Sequence, residues 1–225
     1  GVLVGFHERA SSYVAQMDGC EVLTAKSSAL IPQLKQLIES LSIRQRVPQI
    51  ELAQGSEVLA LVYRVLEPPS ETDLKALSDF GRQHQAEIWL QSKGPDSIQL
   101  LYPTSSSLSY RLADFDLDFP FRPTDFTQVN HQVNEVLVRQ AVRLLKLDSR
   151  DRVLDLFCGL GNFSLALARV ADFIFGIEGS EVLVGRAKSV AITQGLEQRT
   201  NFEAANLFTL SDQAWEAIGF FDKIL

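Results

Sequence analysis

A chain of 225 residues, 46% of them apolar, is long enough to bury one or two sizeable cores. No apolar stretch reaches the ~18 residues that a membrane span needs, and a net charge of −7 argues against a chain that grips nucleic acid by bulk charge alone. The two cysteines, Cys20 and Cys158, lie far apart in a sequence without a secretory leader, so a cytoplasmic protein without a disulfide is expected.

The first half reads as short strands interrupted by two helices. Strands are expected at Val2–Phe6, Tyr13–Gln16, Gln49–Gln54, Val58–Leu66, Glu87–Gln91 and Ile98–Tyr102. A first helix, Ser28 to Leu41, carries Leu30, Leu34, Leu37, Ile38 and Leu41 on one stripe, with Pro32 in its first turn. A second runs from Glu71 to Gln85; Ser70 can cap it while Asp73 accepts back from the cap. Strands mixed with single helices predict a small α+β domain over residues 1–115. Pro103 to Pro123 is rich in Ser, Asp and Pro and reads as a crossing, assigned to residues 116–129. A helix from about Asn130 to Leu147 then opens a second domain, residues 130–225. The paired arginines (Arg44 with Arg46, Arg139 with Arg143, Arg150 with Arg152) read as solvated faces. His7, His84 and His131 have no spacing that suggests a metal site or a triad.

The most informative stretch is VLDLFCGLGNFSLALA, Val153 to Ala168. Val153, Leu154, Leu156 and Phe157 form an apolar run too short for a helix, as in a buried parallel strand. Gly159 and Gly161 permit backbone conformations that a Cβ forbids, and Phe163, Leu165, Leu167 and Ala168 suit a helix packed back on the strand. Such a loop is where open α/β sheets hold nucleotide-like ligands. A second apolar run, Phe173 to Ile177, ends at Glu178, where a carboxylate can accept from both ribose hydroxyls. The nicotinamide pattern would need glycine at Ser164. Asp155 instead lies where a carboxylate could hold an ammonium group or order the loop, which suits S-adenosylmethionine. A nicotinamide- or flavin-dependent oxidoreductase is the alternative from glycine loop plus acid, and a non-catalytic nucleic-acid-binding scaffold the alternative outside enzymes.

Through FTQVN (Phe126 to Asn130), DLFCGLGNFSL and GIEGS (Gly176 to Ser180), the chain resembles the RNA uracil-C5 methyltransferases. It is most similar to the branch that methylates a uracil in bacterial 23S rRNA; the sister tRNA branch fits the QVN and IEG forms less well. The resemblance implies a truncated Rossmann-like methyltransferase fold of the α/β class behind the small α+β domain. It also implies a cofactor site using Gln128, Phe157, Asn162, Glu178 and Asn206, to which the loop reading adds Asp155, Gly159 and Gly161. In that branch a cysteine at the place of Cys20 is the fourth ligand of a [4Fe–4S] cluster, although a solitary cysteine after a strand is ordinarily a small buried apolar residue.

The family adds a thiolate to uracil C6 to make C5 nucleophilic. Cys158 sits within the cofactor loop and reads as structural, so the nucleophile and the general base are expected downstream of Leu225. Gly1 in mid-strand and the apolar run Phe220 to Leu225 likewise lead to the expectation of a fragment. Alone it should be catalytically silent, without a cluster, and prone to self-association through an open sheet edge.

Overall fold

The computed structural model describes residues 1–225 apart from Ser12 and Val129, so the Val129 position of the FTQVN segment lies outside the described residues. The chain divides into two compact units, residues 1–108 with 122–126, and residues 109–121 with 127–225.

The first unit begins without the two expected strands. Among the described residues of 1 to 16, the strand pairing is a bridge between His7 and Val14, flanked by two backbone bonds, Glu8 N–H to Tyr13 O and Ala15 N–H to Phe6 O. An isolated pair of short extended segments is only marginally stable. The expected helix from Ser28 to Leu41 is found as α2 (Ile31–Ser40), with a break between it and a preceding turn, α1 (Ala25–Ser28). Pro32 explains the break: it has no N–H to offer Ser28, and its ring clashes with a helical carbonyl four residues back.

Next come β1 (Gln49–Gln54), β2 (Leu59–Arg64), α3 (Glu71–His84), β3 (Ala86–Gln91) and β4 (Ile98–Tyr102). They form a mixed sheet in sequential order, with β1–β2 and β3–β4 antiparallel and β2–β3 parallel across the α3 connection. Leu34, Leu37, Ile38 and Leu41 pack with Leu59, Leu61, Tyr63, Leu77, Phe80 and Ile88 in one core.

The start of α3 was legible from two residues. The Ser70 hydroxyl accepts from Asp73 N–H, and the Asp73 carboxylate accepts from Ser70 N–H. That carboxylate also binds the N–H (2.8 Å) and hydroxyl (2.5 Å) of Ser42, which ties the helix to the segment after α2. Burial alone would raise the Asp73 carboxyl, but the donors from Ser42 and Ser70 outweigh it and hold the group down at about 2.

The second unit opens with β5 (Ser109–Leu112) and β6 (Leu117–Pro120), an antiparallel hairpin inside the stretch expected to be a plain crossing. Tyr110, Leu112, Leu117 and Phe119 are all buried, an alternation that the surrounding Ser, Asp and Pro obscure. There follow α4 (His131–Leu145), β7 (Arg152–Leu156), α5 (Ser164–Leu167), β8 (Phe173–Glu178), α6 (Glu181–Thr193), β9 (Thr200–Ala204), α7 (Asp212–Ile218) and β10 (Lys223–Ile224). The helix expected after the glycine loop is a single turn, and the terminal strand only two residues long.

The four strands are parallel in the order β10-β7-β8-β9. The chain moves outward from β7 through β8 to β9, then returns to the other side of β7, so the direction of winding reverses beside β7. This is the Rossmann-like α/β arrangement, in which ligands bind outside the carboxyl ends of the strands at that reversal. Leu154, Phe175 and Ile177 face one side with Ile218 and Phe221, and Val153, Asp155, Ile174 and Gly176 face the other.

Removing the charge at Asp73 tests the α3 cap. A depressed carboxyl contributes stability that is present above its ordinary range and lost as pH falls toward its folded value. Asp73→Asn should cost about 2 kcal/mol at pH 7, and the deficit should shrink as pH drops below 4, both read by urea denaturation.

Candidate cofactor site

The loop after β7 reverses through three residues in left-handed backbone, Phe157 (φ 62°), Gly159 (φ 57°) and Gly161 (φ 83°). Two of these are the glycines that the sequence offered; the third carries a side chain at a conformational cost on the order of 1 kcal/mol. Phe157 is thereby turned outward, 57% exposed, with its ring 5.6 Å from that of Phe208.

Glu178, at the carboxyl end of β8, binds the loops on either side of it. One carboxylate oxygen accepts from Gly159 N–H at 3.2 Å and the other from Ser180 N–H at 3.0 Å. Ser180 in turn caps α6 through Leu183 N–H. An ionised carboxylate offers about four acceptor positions, so two remain for hydroxyl donors. The end of β9 joins the group through Ala205 N–H to Glu178 O at 2.9 Å. One residue further on, Asn206 accepts Phe208 N–H on its side chain (3.0 Å) and Thr209 N–H on its carbonyl (3.0 Å). A half-buried carboxylate, amides in glycine backbone and a pinned loop after β9 are a donor and acceptor set that fits an aminoacyl nucleoside such as S-adenosylmethionine.

Below the loop lies a row of side chains on one sheet face. Asp155 pairs across to Gly176, and Gly176 to Phe202. A Cβ on Gly176 would lie 2.5 Å from the Phe202 ring and 2.9 Å from Cys158 Sγ, so only glycine fits there. Asp155 is 3% exposed and accepts from the hydroxyl of Ser164, the position where a nicotinamide loop would carry its third glycine. Of the two roles open to Asp155, ordering the loop is the one with a contact in the structure. Burial raises its carboxyl to about 6, against the lowering effect of the Ser164 donors. Cys158, 7% exposed, has its thiol pushed up to about 12, first by burial and then by the charges of Asp155 and Glu178. A nucleophilic cysteine needs the opposite environment.

Asn162 is engaged from behind. Its amide and that of Asn134 in α4 exchange two hydrogen bonds at 2.9 Å, and the hydroxyl of Tyr110 donates to Asn162 Oδ1 at 3.1 Å. One N–H of Asn162 is left over for a ligand. Gln128 is exposed on the segment leading into α4, and among the described residues no hydrogen bond joins it to the glycine loop. The structure therefore brings together Asp155, Phe157, Gly159, Gly161, Asn162, Glu178 and Asn206 around the carboxyl ends of β7 to β9, and gives Gln128 an exposed position before α4. Sequence reasoning missed Asn134, Tyr110, Ser164 and Phe208. Only Ser164 had a signal, its place in the glycine spacing.

Cys20, in the first unit, is half-buried with a free thiol, and its N–H donates to Ser28 Oγ at 2.8 Å. A [4Fe–4S] cluster takes four thiolates, and among the described residues no group of three or more His, Cys, Asp or Glu could hold a metal ion.

A profile of the family described as tRNA (Uracil-5-)-methyltransferase matches residues 5–202. Proteins described as 23S rRNA (uracil(1939)-C(5))-methyltransferase RlmD from Burkholderia thailandensis and Burkholderia lata are each 54% identical over 225 residues. Each alignment covers 100% of this chain and 48% of the relative, so the chain spans about half the length of these curated relatives. Among solved structures, the Pyrococcus abyssi tRNA (uracil-54, C5)-methyltransferase in complex with S-adenosyl-L-homocysteine superimposes with a TM-score of 0.72 at 20% identity, over 96% of this chain and 54% of that one. An M. jannaschii tRNA m1G37 methyltransferase gives 0.52 at 10% identity, over 83% of this chain and 54% of that one. At those identities the likeness is one of fold.

The buried acid gives a test of the loop. A carboxyl whose folded value is raised stabilises fully below pH 4, and that contribution is lost as pH rises through about 6. Asp155→Asn, which does not titrate, should therefore gain about 2–3 kcal/mol on the wild type between pH 4 and pH 7, read by urea denaturation across that range.

Proposed function

Because the chain belongs to the tRNA (uracil-5-)-methyltransferase family, we propose that it is part of an S-adenosylmethionine-dependent enzyme that methylates C5 of a uracil in 23S rRNA. The observation that carries the cofactor half of this reading is the Glu178 carboxylate, tied to Gly159 with acceptor positions to spare at the winding reversal of the sheet. The rRNA half rests on 54% identity across all 225 residues. A tRNA substrate remains the second reading, supported by the description of the matching family as tRNA (Uracil-5-)-methyltransferase. Family membership sets aside the nicotinamide and flavin alternatives.

When bound, S-adenosylmethionine supplies a methyl group on a sulfonium. On this chain Glu178 would accept the ribose hydroxyls, the left-handed backbone at Gly159 and Gly161 would let the cofactor approach the main chain, and Asp155 would hold the turn through Ser164. Asn162 would offer its remaining N–H, while Asn206 and Gln128 would complete the site from the loop after β9 and the segment before α4. Cys158 fills the space under Gly176 rather than attacking the base. The thiolate that adds to uracil C6, and the base that removes the C5 proton before that thiolate leaves, would come from elsewhere in the whole protein. Cys20 would be one of four cluster ligands only if three others are supplied there too. Action on rRNA places such an enzyme in the cytoplasm, and no described helix is long and apolar enough to cross a membrane.

Two substitutions in the whole protein test this assignment. Glu178→Ala should raise the Kd for S-adenosylhomocysteine by a factor of about ten or more, the loss of charge-assisted bonds worth about 1.5–3 kcal/mol; unchanged affinity by calorimetry removes Glu178 from the ribose role. Cys158→Ala should retain measurable uracil methylation, and a covalent adduct to 5-fluorouracil RNA through Cys158 would overturn its structural role.

A further inference from the structure

Phe208 is 86% exposed, yet it is not on a loose loop. Its N–H is held by the side chain of Asn206, and the turn is closed by Thr209, whose N–H and hydroxyl both donate to Asn206 O at 3.0 and 3.3 Å. Its ring meets that of Phe157 at 5.6 Å with the planes tilted by 47°. Phe157 belongs to the loop after β7 and Phe208 to the loop after β9, with β8 between them in the sheet. The two rings thus join across the end of β8, where Glu178 binds Gly159 N–H on one side and Ala205 N–H, through its carbonyl, on the other.

Water-facing aromatic rings gain nothing from this position, and Phe157 adopts left-handed backbone to be there. A flat apolar group would make both rings useful. A ribose whose two hydroxyls meet Glu178 carries its base on the adjacent carbon, so the base must come to rest beside that carboxylate. Aromatic faces stack on any base because every base presents a π-face. Resting on the cofactor reading above, we propose that Phe208 is a binding residue for the purine of the cofactor, its ring stacking on the base while Phe157 forms the adjoining wall. Neither the glycine spacing nor the acidic residue points to position 208.

The test separates the base from the rest of the ligand. In the whole protein, calorimetric Kd values are measured for S-adenosylhomocysteine and for S-ribosylhomocysteine, which keeps the ribose and amino acid but lacks the purine. Phe208→Ala should weaken S-adenosylhomocysteine by about tenfold or more and leave S-ribosylhomocysteine within twofold, whereas Phe208→Tyr should restore the first. Thermal unfolding should match the wild type, since the ring is on the surface. An equal loss for both ligands, or S-adenosylhomocysteine affinity unmoved by Phe208→Ala, overturns the role of Phe208 and leaves the cofactor reading standing. A wild type that does not bind S-adenosylhomocysteine overturns the cofactor reading itself, and this inference with it.

Discussion

Glu178, through its carboxylate and its backbone carbonyl, joins three loops that a parallel sheet would otherwise leave separate. Strand ends present N–H groups with no ladder partner, and here one side chain accepts from the loop after β7 and from the first residues past β8. Its own backbone carbonyl accepts from the residue after β9. A negative group two residues before the cap of α6 is also favourable to that helix, whose N-terminus carries partial positive charge. The geometry of the glycine loop, the exposure of Phe157 and the position of Asn206 all depend on this junction. On the proposed cofactor reading, the group that ties the loops together is also the one that would accept from the ribose.

Under the junction, packing decides chemistry. Phe202 lies against a strand position that has no side chain, and Cys158 Sγ fills the remaining space. The same closeness desolvates Asp155 and Cys158, raising both and holding the thiol protonated at neutral pH. A thiol kept protonated in this way is poorly suited to nucleophilic attack. The Asn134–Asn162 amide pair and the Tyr110 hydroxyl add a second fixed point, so the loop is held from its strand side by Glu178 and from its helix side by α4 and β5. Polar networks that satisfy each member in this way rigidify what they touch.

Much of the fold was written in short-range patterns. The capping pair Ser70 and Asp73, the short apolar runs of β2 and β3, the strand–glycine–helix run from Val153 and the acid at the end of the next strand all depend on residues within a few positions of one another, where propensity and periodicity act directly. What was lost followed from distance in the chain. Whether Val2–Phe6 becomes a strand depends on a neighbour to pair with, and the hairpin at Ser109 to Pro120 depends on a core to bury Tyr110 and Phe119. The break before Pro32 was a local signal that the apolar stripe outweighed.

For the site, the sequence by itself determined the identities that backbone geometry and charge demand: glycine at 159 and 161, and acids at 155 and 178. Only the tertiary structure decided how those groups are used. That Asp155 is spent on Ser164, that Asn162 is largely spent on Asn134 and Tyr110, and that Phe208 reaches Phe157 across a strand follow from contacts between segments 9 to 52 residues apart. No periodicity spans such separations, because those neighbours are set by the order and register of strands in the sheet.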